Sequence, residues 1–159
     1  MKKLIESQVL KILKESTDYN AWVMPSEDKL KLEFKIEHTF KGNDFWEDES
    51  DFLNAINSAK IEVITPDKDR KIRYRSRTQS FDDLHDLIST YGSYPEYRNE
   101  STLKNLYKRM GNNEELDYPI VVEFANGIRR VFSGNTRMDV AFQMGINPQV
   151  LVVQSETNY

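Results

Sequence analysis

The most regular hydrophobic pattern in the chain is a strict alternation between residues 30 and 40. Charged residues and one threonine separate six apolar or aromatic positions: Leu30, Leu32, Phe34, Ile36, His38 and Phe40. Because successive side chains of a strand point to opposite faces, this period predicts a long strand with one buried face. His38 lies on the apolar face, which favours a histidine in the core over a metal or catalytic ligand.

Other segments show the helical spacing of three and four residues between apolar positions. Helices are predicted over residues 2–16, 50–59, 80–91 and 101–110. The third has a capping-box spacing at its start, and Gly92 follows it in the position that suits a C-terminal glycine. Trp22 and Trp46 are expected to be core or domain-packing residues.

Short runs of β-branched residues predict the strands. Lys60–Thr65 and Lys71–Thr78 are expected to form a strand and its return around a turn at residues 66–69. Pro119–Phe124 and Ile128–Phe132 flank Asn126-Gly127, the residue pair that favours a two-residue hairpin because both tolerate positive φ. A last buried strand is predicted at residues 150–153. This mixture of helices and strands predicts the α+β class.

Composition excludes several classes of site. The chain has 159 residues, no cysteine and two histidines, so disulfides, thiolate metal sites and cysteine nucleophiles are excluded, and no metal site is expected. No apolar run approaches the length that crosses a bilayer, and the N-terminus lacks the apolar stretch of a signal peptide. A cytoplasmic protein without a membrane partner is the expectation, and the oligomeric state stays open.

The net charge of −4 is unevenly distributed. Residues 44–51 are strongly acidic, whereas residues 70–77 are strongly basic. In the predicted strand the cations share one face: Lys71, Arg73, Arg75 and Arg77. That face is expected either to contact the backbone of a nucleic acid or to be a solvated face paired with the acidic segment.

The segment Phe132–Gly145 carries the most chemistry. It reads as a strand, a turn and a helix, with the turn formed by Ser133, Gly134, Asn135, Thr136 and Arg137. A glycine lets the backbone approach a ligand closely, small polar side chains can cap the helix, and the helix start attracts anions. Arg137 would add a fork-shaped cation suited to phosphate, although a cation in the first turn opposes the helix dipole.

A structural interpretation of the same turn stands beside the functional one. A capped connection between a strand and a helix would look similar, with Arg137 paired to a nearby carboxylate. Spacing alone leaves these alternatives open, because a single Gly-x-x-Arg sequence is a weak motif.

A family resemblance favours the functional interpretation. Residues 118–153 resemble the second half of the ParB/sulfiredoxin-like superfamily, in which a "PI-V" strand, a hairpin, a G-x-x-R box, a helix and a "V-V" strand follow in this order. The sequence SGNTR is most similar to the corresponding box of ParB-like proteins of tailed phages. The resemblance implies a mixed sheet with packed helices over residues 60–159, preceded by an N-terminal α/β extension at residues 1–59.

The resemblance also implies a ligand. Proteins of this superfamily bind nucleotides, so a nucleoside di- or triphosphate with Mg²⁺ is expected, its phosphates held by the box at Ser133–Arg137. Arg98 lies where the family places a second ligand-facing box, and Glu100 is the acid that would serve as a base. Asn135 replaces the sulfiredoxin cysteine, which excludes that reaction.

Two functional hypotheses follow. In the first, the protein binds a nucleotide or another phosphate ligand and catalyses phosphoryl transfer or nucleotide or phosphodiester hydrolysis. In the second, it is a non-catalytic binding module that contacts a host protein or DNA. A single arginine in the box, and no helix-turn-helix expected after the last strand, argue against centromere partitioning. A phage-encoded protein would act in the cytoplasm of its bacterial host.

Overall fold

The computed structural model describes residues 19–40, 42–65 and 100–158. These residues form four α-helices, one π-helical turn and six short strands, so the predicted α+β class is confirmed. In chain order the elements are β1 (Trp22–Val23), α1 (Glu27–Lys35), the π-helical turn (Ile36–Phe40), α2 (Glu49–Asn57), β2 (Lys60–Val63), α3 (Glu100–Gly111), β3 (Leu116–Asp117), β4 (Ile120–Glu123), β5 (Arg129–Ser133), α4 (Asn135–Gln143) and β6 (Gln149–Gln154).

The main sheet has four strands in the order β2-β6-β4-β5. Strand β6 runs antiparallel to β2 and parallel to β4, and β4 and β5 form an antiparallel hairpin. A second, very short sheet joins β1 to β3 in parallel. Among the described helices, none is both long and apolar enough to cross a membrane.

Both faces of the main sheet are buried along β4, β5 and β6, whereas the edge strand β2 is largely exposed. One face packs against α1 and α2 through an aromatic cluster, and α4 covers the other face with Met138. Neighbouring residues of β4, such as Val121 and Val122, therefore belong to different clusters, although both are fully buried. This is the pattern expected of a strand enclosed between two layers of helix.

A third cluster joins the N-terminal segment to the last helix. Trp22 packs there with residues of α3 and α4, and Tyr19 contacts Trp22 with an edge-on ring 4.8 Å away. Trp46 belongs to the cluster beneath α1 and α2. Both tryptophans are buried, as predicted. The described part of the N-terminal extension thus shares its core with the C-terminal elements, whereas the predicted boundary at residue 60 stays a prediction.

The predicted strand at residues 30–40 is wrong, because this segment is helical. The side chain of Ser26 accepts a hydrogen bond from the backbone N–H of Lys29, and two acids in the first turn favour the helix dipole. Leu30 and Phe34 are buried one turn apart, while Leu32 is 57% exposed. A spacing of four residues satisfies both the strand period and the helix period, so the alternation did not distinguish them.

His38 is not the core histidine that the strand predicted. It lies in the π-helical turn, where its ring stacks on Phe34 at 4.8 Å between ring centroids. Its Nε2 atom is 3.2 Å from a carboxylate oxygen of Asp44, and about a third of its side chain is exposed.

The hairpin is confirmed, but its turn is longer than predicted. The Gly127 N–H donates to the Phe124 carbonyl, and the Phe124 N–H donates to the Ile128 carbonyl, which leaves three residues in the loop. Gly127 alone takes a positive φ, of 86°, and Asn126 keeps a negative one. A tight turn followed by a left-handed glycine explains this geometry.

Other elements agree with the sequence. Helices α2 and α3 and strands β2 and β6 occur close to their predicted positions, and the side chain of Asp48 caps α2. The predicted helices at 2–16 and 80–91 and the predicted strand at 71–78 lie outside the described residues.

Candidate phosphate-binding site

The strand, turn and helix predicted at residues 132–145 are present. Strand β5 ends at Ser133, Gly134 takes a left-handed conformation with φ of 101°, and α4 begins at Asn135. Met138 is fully buried beneath the sheet and fixes the direction of the helix. Gly145, with φ of 73°, follows the end of this helix, as the sequence predicted.

Gly134 is enclosed on two sides. A Cβ atom added to it would lie 2.8 Å from Cβ and 2.9 Å from Cα of Pro119, and 2.9 Å from Nη2 of Arg137. Any larger residue would therefore meet backbone as well as side chain. The same distance shows that the Arg137 guanidinium bends back over the turn toward the start of the helix.

The cap of α4 differs from the expectation that small polar side chains would close it. The capping position is occupied by Gly134, which has no side chain to offer, and the first turn contains no acid. Ser133 is buried, while Asn135, Thr136 and Arg137 are half-buried and interact with other parts of the protein. The positive end of this helix is thus not neutralised by an acid in its own first turn.

Arg137 lines a cleft of about 450 Å³. The cleft lies between the start of α4, the C-terminal half of α3, strand β3 and the segment that leads from β1 into α1. Its described walls comprise Val23, Met24, Ser26, Lys29, Leu106, Arg109, Glu115, Leu116, Asp117 and Arg137. The N-terminal segment therefore supplies one wall of the cleft.

Cations outnumber acids in these walls. Lys29, Arg109 and Arg137 face the acids Glu115 and Asp117. The Lys29 ammonium is 3.0 Å from a carboxylate oxygen of Asp117. Arg109 donates through Nη2 to the backbone oxygen of Glu115 at 2.6 Å. The arrangement suits an anion, because three cationic side chains line one cavity.

A buried tyrosine holds the segment that carries Glu115. The Tyr19 hydroxyl donates to the backbone oxygen of Glu114 and is 3.3 Å from that of Ala21. Burial raises the pKa of this phenol to about 12, although the nearby Arg109 acts in the opposite direction. The neutral phenol therefore links the N-terminal segment to the loop that precedes β3.

Only some of the site residues predicted from the sequence lie at the cleft. Arg137 lines the cleft and Gly134 forms the turn beneath it, whereas Arg98 and the basic face at residues 71–77 lie outside the described residues. Glu100 begins α3, and at 1.5 Å per residue its backbone is about 14 Å along the axis from Arg109. Its backbone therefore lies at the opposite end of α3 from Arg109.

Two lining cations were not singled out in the sequence. Lys29 could have been found from the run Pro25-Ser26-Glu27-Asp28, which is a helix start with a capping serine and two acids. Arg109 has no such signal, because it is one of several cations near the end of an ordinary amphipathic helix.

The described residues contain no group of three acidic or histidine side chains placed to hold a metal ion.

No protein-family model, curated protein or solved structure matches the chain significantly. The features that bear on function are therefore the geometry of this cleft and the motif at residues 133–137.

Proposed function

We propose that this protein binds a phosphate-bearing ligand, a nucleotide in particular, at the turn Ser133–Arg137 and in the adjoining cleft. The chain would then be a phage-type member of the ParB/sulfiredoxin-like superfamily. One observation carries the proposal. The guanidinium of Arg137 lies over the left-handed Gly134 at the start of α4 and lines a cleft that two further cations share.

The recognition would use three physical effects together. The first turn of α4 presents backbone N–H groups and the positive end of a helix dipole. Arg137 offers a planar fork that matches two phosphate oxygens. Because Gly134 has no side chain, the Arg137 guanidinium can lie against the turn, beside the helix start where the phosphate would bind.

The rest of the cleft suits the non-phosphate part of a nucleotide. Its volume of about 450 Å³ falls within the range of small-molecule sites. The apolar wall of the cleft is formed by Val23, Leu106 and Leu116. Met24, which is 53% exposed, lies at its edge. A methionine sulfur makes favourable contacts with aromatic rings, so this wall would accept a base.

The site favours binding without chemistry over phosphoryl transfer. The acids in the described walls are Glu115 and Asp117, and Asp117 is already paired with Lys29. A general base must be within hydrogen-bond reach of the proton that it removes. A pair of available acids is therefore lacking in the described walls, and Glu100, at the first position of α3, lies about 14 Å along the helix axis from Arg109.

Thermal shifts test the proposal directly. We expect at least one of ATP, ADP, CTP or GTP, with Mg²⁺, to raise the melting temperature of the full chain, and Arg137→Ala to abolish that rise. Lys108→Ala is the control, because Lys108 is an exposed cation beside Arg109 on α3 and is absent from the described cleft walls. No rise with any nucleotide would disprove the proposal.

Product analysis then separates the two functional hypotheses. Incubation of the protein with radiolabelled nucleotide is expected to leave the nucleotide intact if the chain is a binding module. Release of phosphate or transfer of a labelled group would instead show an enzyme, and its loss in Glu100→Gln would identify the base.

Nucleic-acid contact by the basic face at residues 71–77 stays a prediction, as does contact of the N-terminal 60 residues with a host protein or DNA. DNA binding through Arg73 and Arg75 would appear as salt-dependent gel retardation that the double charge reversal Arg73→Glu/Arg75→Glu removes. Retention of binding in that variant would exclude this face as the contact.

A further inference from the structure

We infer that Lys29 is a second ligand-contacting cation of the cleft and that Asp117 restrains it until an anion binds. The inference rests on the proposed function, since it concerns the same cleft. It assigns part of ligand recognition to the N-terminal segment, and it predicts a ligand with at least two linked anionic groups.

The contact between the two residues is asymmetric. The Lys29 side chain is 64% exposed and that of Asp117 is 21% exposed, although their charged atoms are 3.0 Å apart. A lysine bears its charge at the end of a flexible chain of four carbons. Lys29 can therefore turn toward a ligand while Asp117 stays in place.

Backbone pairing fixes the position of Asp117. It belongs to β3, whose parallel partner is β1, with Asp117 opposite Val23. The N–H of Tyr118, the next residue, donates to the Val23 carbonyl at 2.9 Å. Lys29 follows from the same pairing, because β1 leads within a few residues into α1. The pairing of β1 with β3 therefore places both Asp117, on β3, and Lys29, on the helix after β1, at the cleft.

The charge balance favours exchange of partners. Exposed ion pairs of this kind contribute little to stability, because water solvates both charges well. A phosphate group with nearly two negative charges would attract the ammonium more strongly than a single carboxylate does. Binding of the ligand would then release Lys29 from Asp117 and leave the acid facing solvent or a ligand hydroxyl.

The number of cations determines the ligand class. Arg137 lies at the helix start, and Lys29 and Arg109 line other walls of the same cleft. A single phosphate is satisfied by a helix terminus and one arginine. Cations on separate walls suit a pyrophosphate linkage, in which the negative groups are spread over a greater length.

The test measures the binding of inorganic pyrophosphate to the full chain by calorimetry. We expect Lys29→Met, which keeps most of the aliphatic stem, to weaken binding roughly 3- to 10-fold, and Lys29→Arg to retain most of the affinity. Asp117→Asn should strengthen binding roughly 2- to 5-fold, because the competing charge is gone. The loss in Lys29→Met should be smaller for orthophosphate than for pyrophosphate.

A neighbouring lysine gives a matched control. Lys31 lies on the same helix and is paired with Glu27 at 2.9 Å, and it does not belong to the described cleft walls. Lys31→Met should leave pyrophosphate affinity unchanged. A melting curve of each variant establishes that it is folded, and Asp117→Ser replaces Asp117→Asn if the latter does not fold.

The outcomes distinguish this inference from the function on which it rests. If the native chain binds pyrophosphate, Arg137→Ala does not and Lys29→Met is unaffected, the inference about Lys29 is wrong while the proposed site stands. Weaker binding in Asp117→Asn would overturn the restraining role of Asp117. Absence of binding by the native chain to pyrophosphate and to every nucleotide would overturn both.

Discussion

Nη2 of Arg137 lies 2.9 Å from the point at which a Cβ atom of residue 134 would stand. Gly134 is the capping position of α4 and lies three residues, close to one helical turn, before Arg137. The arginine side chain, which tilts toward the start of the helix, therefore reaches the glycine. The Gly-x-x-Arg spacing therefore has a steric meaning in this fold. The glycine leaves the space that the guanidinium occupies.

Replacing Gly134 by alanine should destabilise the protein more than the same replacement at Gly127. Both glycines have positive φ, of 101° and 86°, which costs alanine about 1 to 2 kcal/mol. Only Gly134 has neighbours within 4 Å of the added Cβ, and two of them are atoms of Pro119. Overpacking should add about 1 to 3 kcal/mol.

Urea denaturation of the two variants measures this difference. Gly127→Ala serves as the control for backbone strain alone, because nothing lies within 4 Å of its Cβ position. Equal losses in the free energy of unfolding would show that the turn relaxes away from Pro119, contrary to our expectation.

Replacing Arg137 by lysine should weaken nucleotide binding although the charge is kept. A lysine cannot offer the paired, coplanar donors of a guanidinium, and its ammonium is more strongly hydrated. We expect an approximately tenfold loss of affinity, roughly 1.4 kcal/mol, by calorimetry. Affinity equal to that of the native chain would show that Arg137 acts only as a point charge.

The elements around the candidate site were predictable because their local signals agree with the tertiary structure. Strands β4 and β5, the turn at Gly134 and helix α4 follow one another with the expected residue types. Buried residues on consecutive positions, such as Val121 and Val122, indicate a strand enclosed on both faces.

The segment at residues 30–40 was not predictable from its period. Leu30 and Phe34 are buried, and their spacing of four is common to a strand face and a helix face. The decisive signal lay before the alternation, at Ser26, whose side chain caps the helix. Capping residues outweigh a hydrophobic period when the period itself is ambiguous.

The composition of the cleft could not be predicted either. Lys29 and Arg109 are far apart in the sequence, and the pairing of β1 with β3 that brings their elements together involves two residues of each strand. So short a pairing leaves no periodic pattern. Gly134 and Arg137, by contrast, are three residues apart in one turn, so a short sequence motif is enough to predict that they lie close together.

Tyr19 should make the protein lose stability between pH 10 and pH 12. Its pKa is raised to about 12, chiefly by burial, whereas an unfolded chain would ionise the phenol near pH 10. Below pH 10 the phenol is neutral in both states and its contribution is complete. As pH rises toward 12, the unfolded chain releases the proton first, so the free energy of unfolding falls by about 1 to 2 kcal/mol.

Comparison with Tyr19→Phe isolates this effect from the other titrating residues. The variant lacks the hydroxyl that donates to the Glu114 carbonyl, so it should be less stable at pH 8 by about 1 kcal/mol. That deficit should shrink as pH approaches 12. A deficit that stays constant across this window would show that the phenol ionises equally in both states.

Glu123 should contribute stability at neutral pH that is lost in acid. The amide of Gln154 donates to its carboxylate at 2.6 Å and the Arg129 guanidinium donates at 2.9 Å. The Gln154 bond first, and then Arg129, hold the pKa of Glu123 below its ordinary value despite partial burial. The unfolded chain therefore takes up this proton at higher pH than the folded chain, and stability falls as pH drops through the folded pKa.

Glu123→Gln tests that assignment when the free energy of unfolding is followed from pH 7 to about pH 3. The variant should be less stable by about 1 kcal/mol at pH 7, and the difference should close in acid because the native carboxyl is then neutral as well. If the deficit of Glu123→Gln is independent of pH, shape and packing rather than charge explain the role of this residue, and the bonds from Gln154 and Arg129 do not favour the ionised form.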